Sequence, residues 1–176
     1  MRWRGRVRLA LAFWARGEGQ DMVSEVMRRS ASVEIAVSPP VAFDAVCCLG
    51  RMGEWSPENV GGRWLEGDGG RVGDRFEGDN RQGDLEWTLP VTVSASDPGA
   101  LFAFHTGPAE HPWVQWTYRI ESAPSGCVVT EVWELLDPAP FVASLGPDYP
   151  SLRAEQMERD LVTTLERLKR SLESAA

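Results

Sequence analysis

Glu131 is the side chain around which any chemistry would be organised. In "CVVTEVWELL" the two-residue alternation of a strand puts Val129, Glu131, Trp133 and Leu135 on one face, and in "WVQWTYRIES" it puts Trp116, Tyr118 and Ile120 on one face. Where both faces are internal, a carboxylate stands among aromatic rings. Loss of hydration then raises its pKa and fits it to act as acid, base or hydrogen-bond anchor for a ligand. The alternative pairs Glu131 with Arg119 or Arg75, or turns it to solvent, and leaves no site.

Around this group the sequence supplies large apolar faces. It has eight Trp against two Tyr, and each Trp brings a broad ring with one N–H that needs a partner. Trp55, Trp64, Trp87, Trp116 and Trp133 read either as core or as the wall of a pocket for an apolar or aromatic ligand. Asn80 shares a strand face with Phe76 and Gly78, so it is either a polar contact inside that pocket or a turn residue. Arg75 is a further candidate for orienting a ligand. Other chemistries lack their residues. There is no GxSxG elbow, and Cys47, Cys48 and Cys127 have no histidine beside them in sequence. His105 and His111 have neither an HExxH frame nor a CxxC partner, so neither a metal nor a cofactor is expected. "GDGGRVG" lies between extended segments rather than before a helix, which makes it a hairpin turn and not a phosphate loop.

Charge narrows the partners. The chain of 176 residues carries a net charge of −8, but residues 1–29 hold seven arginines against Glu18, Asp21 and Glu25, which leaves −12 on the remainder. An acidic body repels phosphate backbones, so no nucleic-acid partner is expected. No run of 18 apolar residues exists to span a bilayer, and stable membrane insertion is not expected either. Three cysteines without a CxxC favour a reducing, cytoplasmic compartment. The start "MRWRGRVRLALAFWARGEGQD" has a basic end and a short apolar run, Leu9 to Ala15. Phe13 stands where cleavage needs a small residue, and Gly5, Gly17 and Gly19 interrupt a surface helix. Residues 1–29 are therefore expected to be a poorly ordered basic extension, and residues 30–176 one domain.

Elements must hold these groups in place. Ala31 to Ser38 alternates as a strand; Ser38 then caps a helix from Pro39 to about Cys48, with proline in its first turn. A second short helix runs from Arg51 to about Trp55. Six extended segments follow, broken by glycine and proline: "GGRWLEG", "GDRFEGDN", "LEWTLPVTVSAS", "ALFAFHT", "WVQWTYRIES" and "CVVTEVWELL". Pro90 marks an edge or a bulge in the third. Asp137 to Pro150 holds four prolines and is expected to be an irregular link. From Ser151 to about Ser174 the chain reads as one helix whose apolar stripe is Met157, Leu161, Leu165, Leu168 and Leu172. That stripe needs a surface, and the antiparallel sheet offers one.

The order of these elements, with "RMGEWSPENVGGRWL", "GDRFEGDNRQG", "SDPGALFAF", the "WTYRIE" to "VVTEVWE" hairpin and "MERDLVTTLERLKRSLE", resembles the START-like helix-grip superfamily, more narrowly its SRPBCC group of polyketide cyclase/dehydrase-like proteins. The likeness covers about residues 30 to 174. It implies an α+β fold, a seven-stranded curved antiparallel sheet wrapped around the long C-terminal helix, with a hydrophobic cavity between them that opens near the two short helices. Trp55, Trp64, Arg75, Asn80, Trp87, Trp116, Trp133 and Leu161 would then meet a lipid-like or polyketide-like small molecule. The leading expectation is a non-catalytic carrier or sensor. The alternatives are an aromatase/cyclase-type enzyme using Glu131, Tyr118 and Arg119, and a protein-interaction or toxin-like regulatory module.

Overall fold

The computed structural model describes residues 27–67 and 70–175. Seven strands form one antiparallel sheet: β1 (Met27–Ile35), β2 (Asn59–Glu66), β3 (Arg75–Gln82), β4 (Leu85–Asp97), β5 (Leu101–Thr106), β6 (Val114–Ala123) and β7 (Gly126–Leu135). Their order is β1-β7-β6-β5-β4-β3-β2, so the first strand closes on the last and the rest form a meander. Helix α1 (Pro39–Cys47) and a 3₁₀ helix (Leu49–Glu54) follow β1, while α2 (Ala139–Leu145) and α3 (Tyr149–Ser174) follow β7. The fold is the α+β arrangement expected, with the long C-terminal helix packed on the sheet.

The apolar stripe of α3 decides how the layers join. Met157, Leu161, Leu165, Leu168 and Leu172 are all buried, and each contributes about 1.5–3 kcal/mol through the surface it removes from water. They meet the inner face of the sheet, where Val33, Ile35, Val129, Trp133, Tyr118, Phe102, Phe104 and Phe76 alternate with outward residues. Polar contacts along the two flanks of α3 fix its position. On one side Lys169 Nζ donates to the Glu34 carbonyl at 2.8 Å, Glu173 accepts from the Ala36 N–H at 2.9 Å, and Arg29 pairs with Glu158 at 2.8 Å. On the other, Ser171 Oγ lies between Arg51 and Glu54 of the 3₁₀ helix, and Arg153 grips Glu58 just before β2. The helix thus bridges β1 at one edge of the sheet and the approach to β2 at the other.

Several boundaries and local readings differ from expectation. β1 begins at Met27 and ends at Ile35, earlier than the Ala31 to Ser38 alternation suggested, because pairing with β7 extends back to Met27 opposite Leu135. The rest of the expected basic extension, residues 1–26, lies outside the described residues. Ser38 occupies the N-cap of α1 with extended backbone, but its side chain makes no capping hydrogen bond. The segment expected to be irregular contains α2. Pro138 caps it and Pro140 sits in its first turn, where a missing N–H costs nothing, while Pro147 comes only after Gly146 has ended the helix. Pro90 is tolerated in β4, an interior strand, because the last β4–β5 pair is Val91 with Thr106, so β5 has ended where Pro90 stands. The bulge in β4 lies instead between Val93 and Ala95.

Candidate functional site

The β6–β7 hairpin sets the site by register. Ala123 pairs with Gly126 at the turn, and five residues further from the turn on each strand Tyr118 and Glu131 stand directly opposite each other, with Trp116 opposite Trp133 in the next inward row. Gly126 is required here: its φ of +150° suits glycine, and a Cβ would overlap the Ile35 carbonyl oxygen at the end of β1. The hairpin and β1 are thereby locked together, and Ala31 of β1 lies on the other side of Glu131.

Glu131 is 2 % exposed and Tyr118 likewise 2 %. The Tyr118 hydroxyl donates to Glu131 Oε1 at 2.6 Å, while Glu131 Oε2 is buried and has no hydrogen-bond partner. Burial pushes the Glu131 carboxyl up to about 8; the Tyr118 hydrogen bond opposes that rise and the carboxylate of Asp160 on α3 adds to it. Burial also raises Tyr118, reinforced by Glu131. Both shifts favour the protonated form of the carboxyl beside its phenol partner. It occupies the seam of the interior, where one apolar cluster around Val129, Tyr118, Leu165 and Leu168 meets a second around Trp133, Met157 and Leu161.

The remaining candidates divide. Trp55, Trp133 and Leu161 are buried in the core, the Trp55 indole N–H without a hydrogen-bond partner. Trp64 meets the edge of Phe76 at 5.0 Å, and Trp116 stacks on Phe104 at 6.4 Å; both stay half-buried on the inner face. Trp87 and Leu89 are half-buried on the same face of β4, beyond the end of β5. Asn80 lies opposite Trp87, donates to the Gly78 carbonyl at 3.1 Å and accepts from Asn59 Nδ2 at 3.4 Å. Gly62, Gly78 and Leu89 form a cross-strand row between them. A side chain added at Gly78 would meet only Asn59 at 3.3 Å and Val91 at 3.8 Å, both neighbours within the sheet, and nothing from α3 among the described residues. Gly62 differs, since a Cβ there would overlap the Glu77 carbonyl oxygen, so of the two glycines only Gly78 is open to a side chain.

Two sequence candidates fall outside. Arg119 is exposed on the outer face of β6, and Arg75 is exposed on the outer face of β3, paired with Glu66 at 3.0 Å. Strand alternation excludes both, since Tyr118 and Phe76 beside them point inward. Neither is therefore an ion-pair partner of Glu131.

Sequence reasoning missed the polar flank of α3. Arg153 holds Glu58 through both guanidinium nitrogens, at 2.5 and 2.8 Å, in a pair whose side chains are 12 % and 18 % exposed. One turn on, Gln156 donates to Asp160 at 3.1 Å, and burial raises the Asp160 carboxyl. The signal was a polar residue at 153, 156 and 160, three and four apart beside the apolar stripe. A groove of about 690 Å³ over Glu54, Arg167, Arg170, Ser171 and Ser174 is open to solvent at the other end of α3 and shares no residue with this site.

No curated protein matches the chain. Its structure is similar to that of a polyketide-cyclase-like protein of Corynebacterium glutamicum, at 27 % identity over 86 % of this chain and 94 % of that one, with a TM-score of 0.60. Two more distant likenesses show the fold alone. The di-domain aromatase/cyclase StfQ of the steffimycin biosynthetic pathway has 13 % identity over 85 % of this chain and 51 % of that one (TM-score 0.65). Ara h 8.0201 has 14 % identity over 85 % and 99 % (TM-score 0.61). Residues 26–173 match the family described as polyketide cyclase/dehydrase and lipid transport, and with that match spanning nearly all of the sheet and α3, the chain belongs to this family.

Proposed function

We propose that the protein binds and carries a hydrophobic small molecule, lipid-like or polyketide-like, between the sheet and α3. The observation that carries this reading is Glu131: a buried carboxyl with one oxygen held by Tyr118 and the other without a partner, set in an otherwise apolar interior. Buried polar atoms are almost always satisfied, and an orphan one marks a place for a group that is not part of the chain. The half-buried Trp64, Trp87 and Trp116 near Gly78 supply apolar contact, and Asn80 supplies a second polar one. The family's lipid-transport description supports the same ligand chemistry. Mass spectrometry under native conditions tests it: the purified protein is expected to carry, or to take up from an organic extract, an apolar molecule of a few hundred daltons. Protein that stays unliganded with every extract and lipid offered would remove the proposal.

A catalytic reading is favoured by one feature. A Tyr118–Glu131 pair protonated at neutral pH is a proton donor of the kind that aldol closure and dehydration of a poly-β-ketone require. Product profiles decide it, because cyclisation unchanged in both Glu131→Gln and Tyr118→Phe would take these residues out of any such mechanism.

A further inference from the structure

We propose that the ligand buries a neutral hydrogen-bond acceptor, a ketone, ester or comparable carbonyl oxygen, against Glu131 Oε2, and that Glu131 holds it as a carboxylic acid rather than as a carboxylate ion-paired to an amine. This rests on the interior-binding reading above and specifies the chemistry of its anchor.

Register places Tyr118 opposite Glu131, and its one hydroxyl proton is spent on Oε1. From α3 the titratable group that acts on Glu131 is Asp160, an anion whose field opposes a second negative charge. From β1 the neighbour is Ala31, and Arg29 two residues away is engaged with Glu158. On the helix, Arg159 beside Asp160 is exposed to solvent, and Arg153, two turns back, has both of its terminal nitrogens taken by Glu58. Arg119 faces solvent on the opposite side of β6. No described cation therefore compensates a charge at Oε2, and an isolated buried carboxylate neutralises itself by taking a proton. The proton goes to Oε2, since Oε1 already accepts from Tyr118. Oε2 becomes a buried O–H donor on β7, and what satisfies a lone donor is an acceptor. An amine would have to shed its own water among Trp116, Trp133 and Leu161 and also drive ionisation of Glu131, two costs that a carbonyl oxygen avoids.

The proposal ties binding to a proton. Above the pH at which Glu131 ionises, Oε2 becomes an acceptor, the hydrogen bond to a carbonyl is lost, and two lone pairs face each other. Three naphthalene probes of one size test this by fluorescence titration of the full chain: 6-propionyl-2-dimethylaminonaphthalene, a ketone; its 6-propyl counterpart without the oxygen; and the 6-(aminopropyl) counterpart, a protonated amine. At pH 6.5 the ketone is expected to bind the wild type about tenfold more tightly than the propyl probe, the ratio belonging to one buried donor satisfied or left empty. Glu131→Gln, which keeps an N–H donor, retains that preference; Glu131→Leu abolishes it, and so does raising the wild type to pH 9.5. Equal binding of ketone and propyl probes to the wild type would overturn the proposal while leaving interior binding intact. Tightest binding of the amine, lost in Glu131→Gln, would overturn it in favour of an ion pair. If none of the three binds, interior binding of such molecules fails and the proposal falls with it.

Discussion

Glu131→Gln separates the charge of this side chain from its shape. Glutamine keeps a carbonyl oxygen for the Tyr118 hydroxyl and adds no volume, so well below the unfolded value of 4.5, where the wild-type carboxyl is protonated in both folded and unfolded chains, the two proteins should be about equally stable. As pH rises past the unfolded value of 4.5, the unfolded chain releases its proton while the folded one keeps it until about 8. In that window the folded state binds more protons than the unfolded one, so the wild type loses stability with increasing pH. Each unit of difference is about 1.4 kcal/mol, and the full interval corresponds to about 5 kcal/mol as an upper figure. Above pH 8 both states are ionised and the loss is complete. Glutamine has no such dependence. Urea unfolding of both proteins at half-unit steps from pH 4.5 to 9 reads the difference directly, with every other titrating group common to both. The variant should gain on the wild type by several kcal/mol and level off near pH 8. Parallel stability curves across that range would refute a buried, uncompensated carboxyl at this position.

Other expectations follow from the same geometry. Gly78→Val should fill space beside Gly78 on β3: its Cβ meets only Asn59 and Val91, so stability should change by less than about 1 kcal/mol while probe affinity falls about tenfold or more, read by chemical denaturation and fluorescence titration. Arg153→Met leaves Glu58 half-buried without its partner and should cost about 2 kcal/mol, whereas adding Glu58→Gln should return part of it; a double-mutant cycle in urea measures the coupling. Leu168→Ala, at a position with no exposure, should cost about 3 kcal/mol by the same method.

Most of the architecture was legible because it depends on periodicity. The four- and three-residue spacing of Met157 to Leu172 required a helix laid on something, and the two-residue alternation of "CVVTEVWELL" put Glu131 on one face with Trp133, while leaving open whether that face was internal. Alternation likewise excludes Arg119 and Arg75, once Tyr118 and Phe76 are known to point inward. What sequence left open depends on distance between segments. That Tyr118 is directly opposite Glu131 follows from the register of the tight Ala123–Gly126 turn, and that Arg153 reaches Glu58 follows from where α3 crosses the sheet, 95 residues along the chain. The helix within Asp137 to Pro150 was hidden for a different reason: proline counts against a helix interior but not against its first turn, and composition alone does not say where a turn begins.

The closure of β1 on β7 has a consequence for the order of events during synthesis. Met27 pairs with Leu135, and the surface between β1 and β7 is what α3 finally covers. An N-terminal strand leaving the ribosome therefore waits with a bare hydrogen-bonding edge until about a hundred further residues have been made, and the apolar inner face waits longer still for the last helix. The meander from β2 to β7 can assemble pair by pair as it emerges, but the ring of β1, β7 and α3 closes only at the end. The Tyr118–Glu131 pair lies beneath that last piece, so the site becomes dry, and its carboxyl neutral, in the final step of folding.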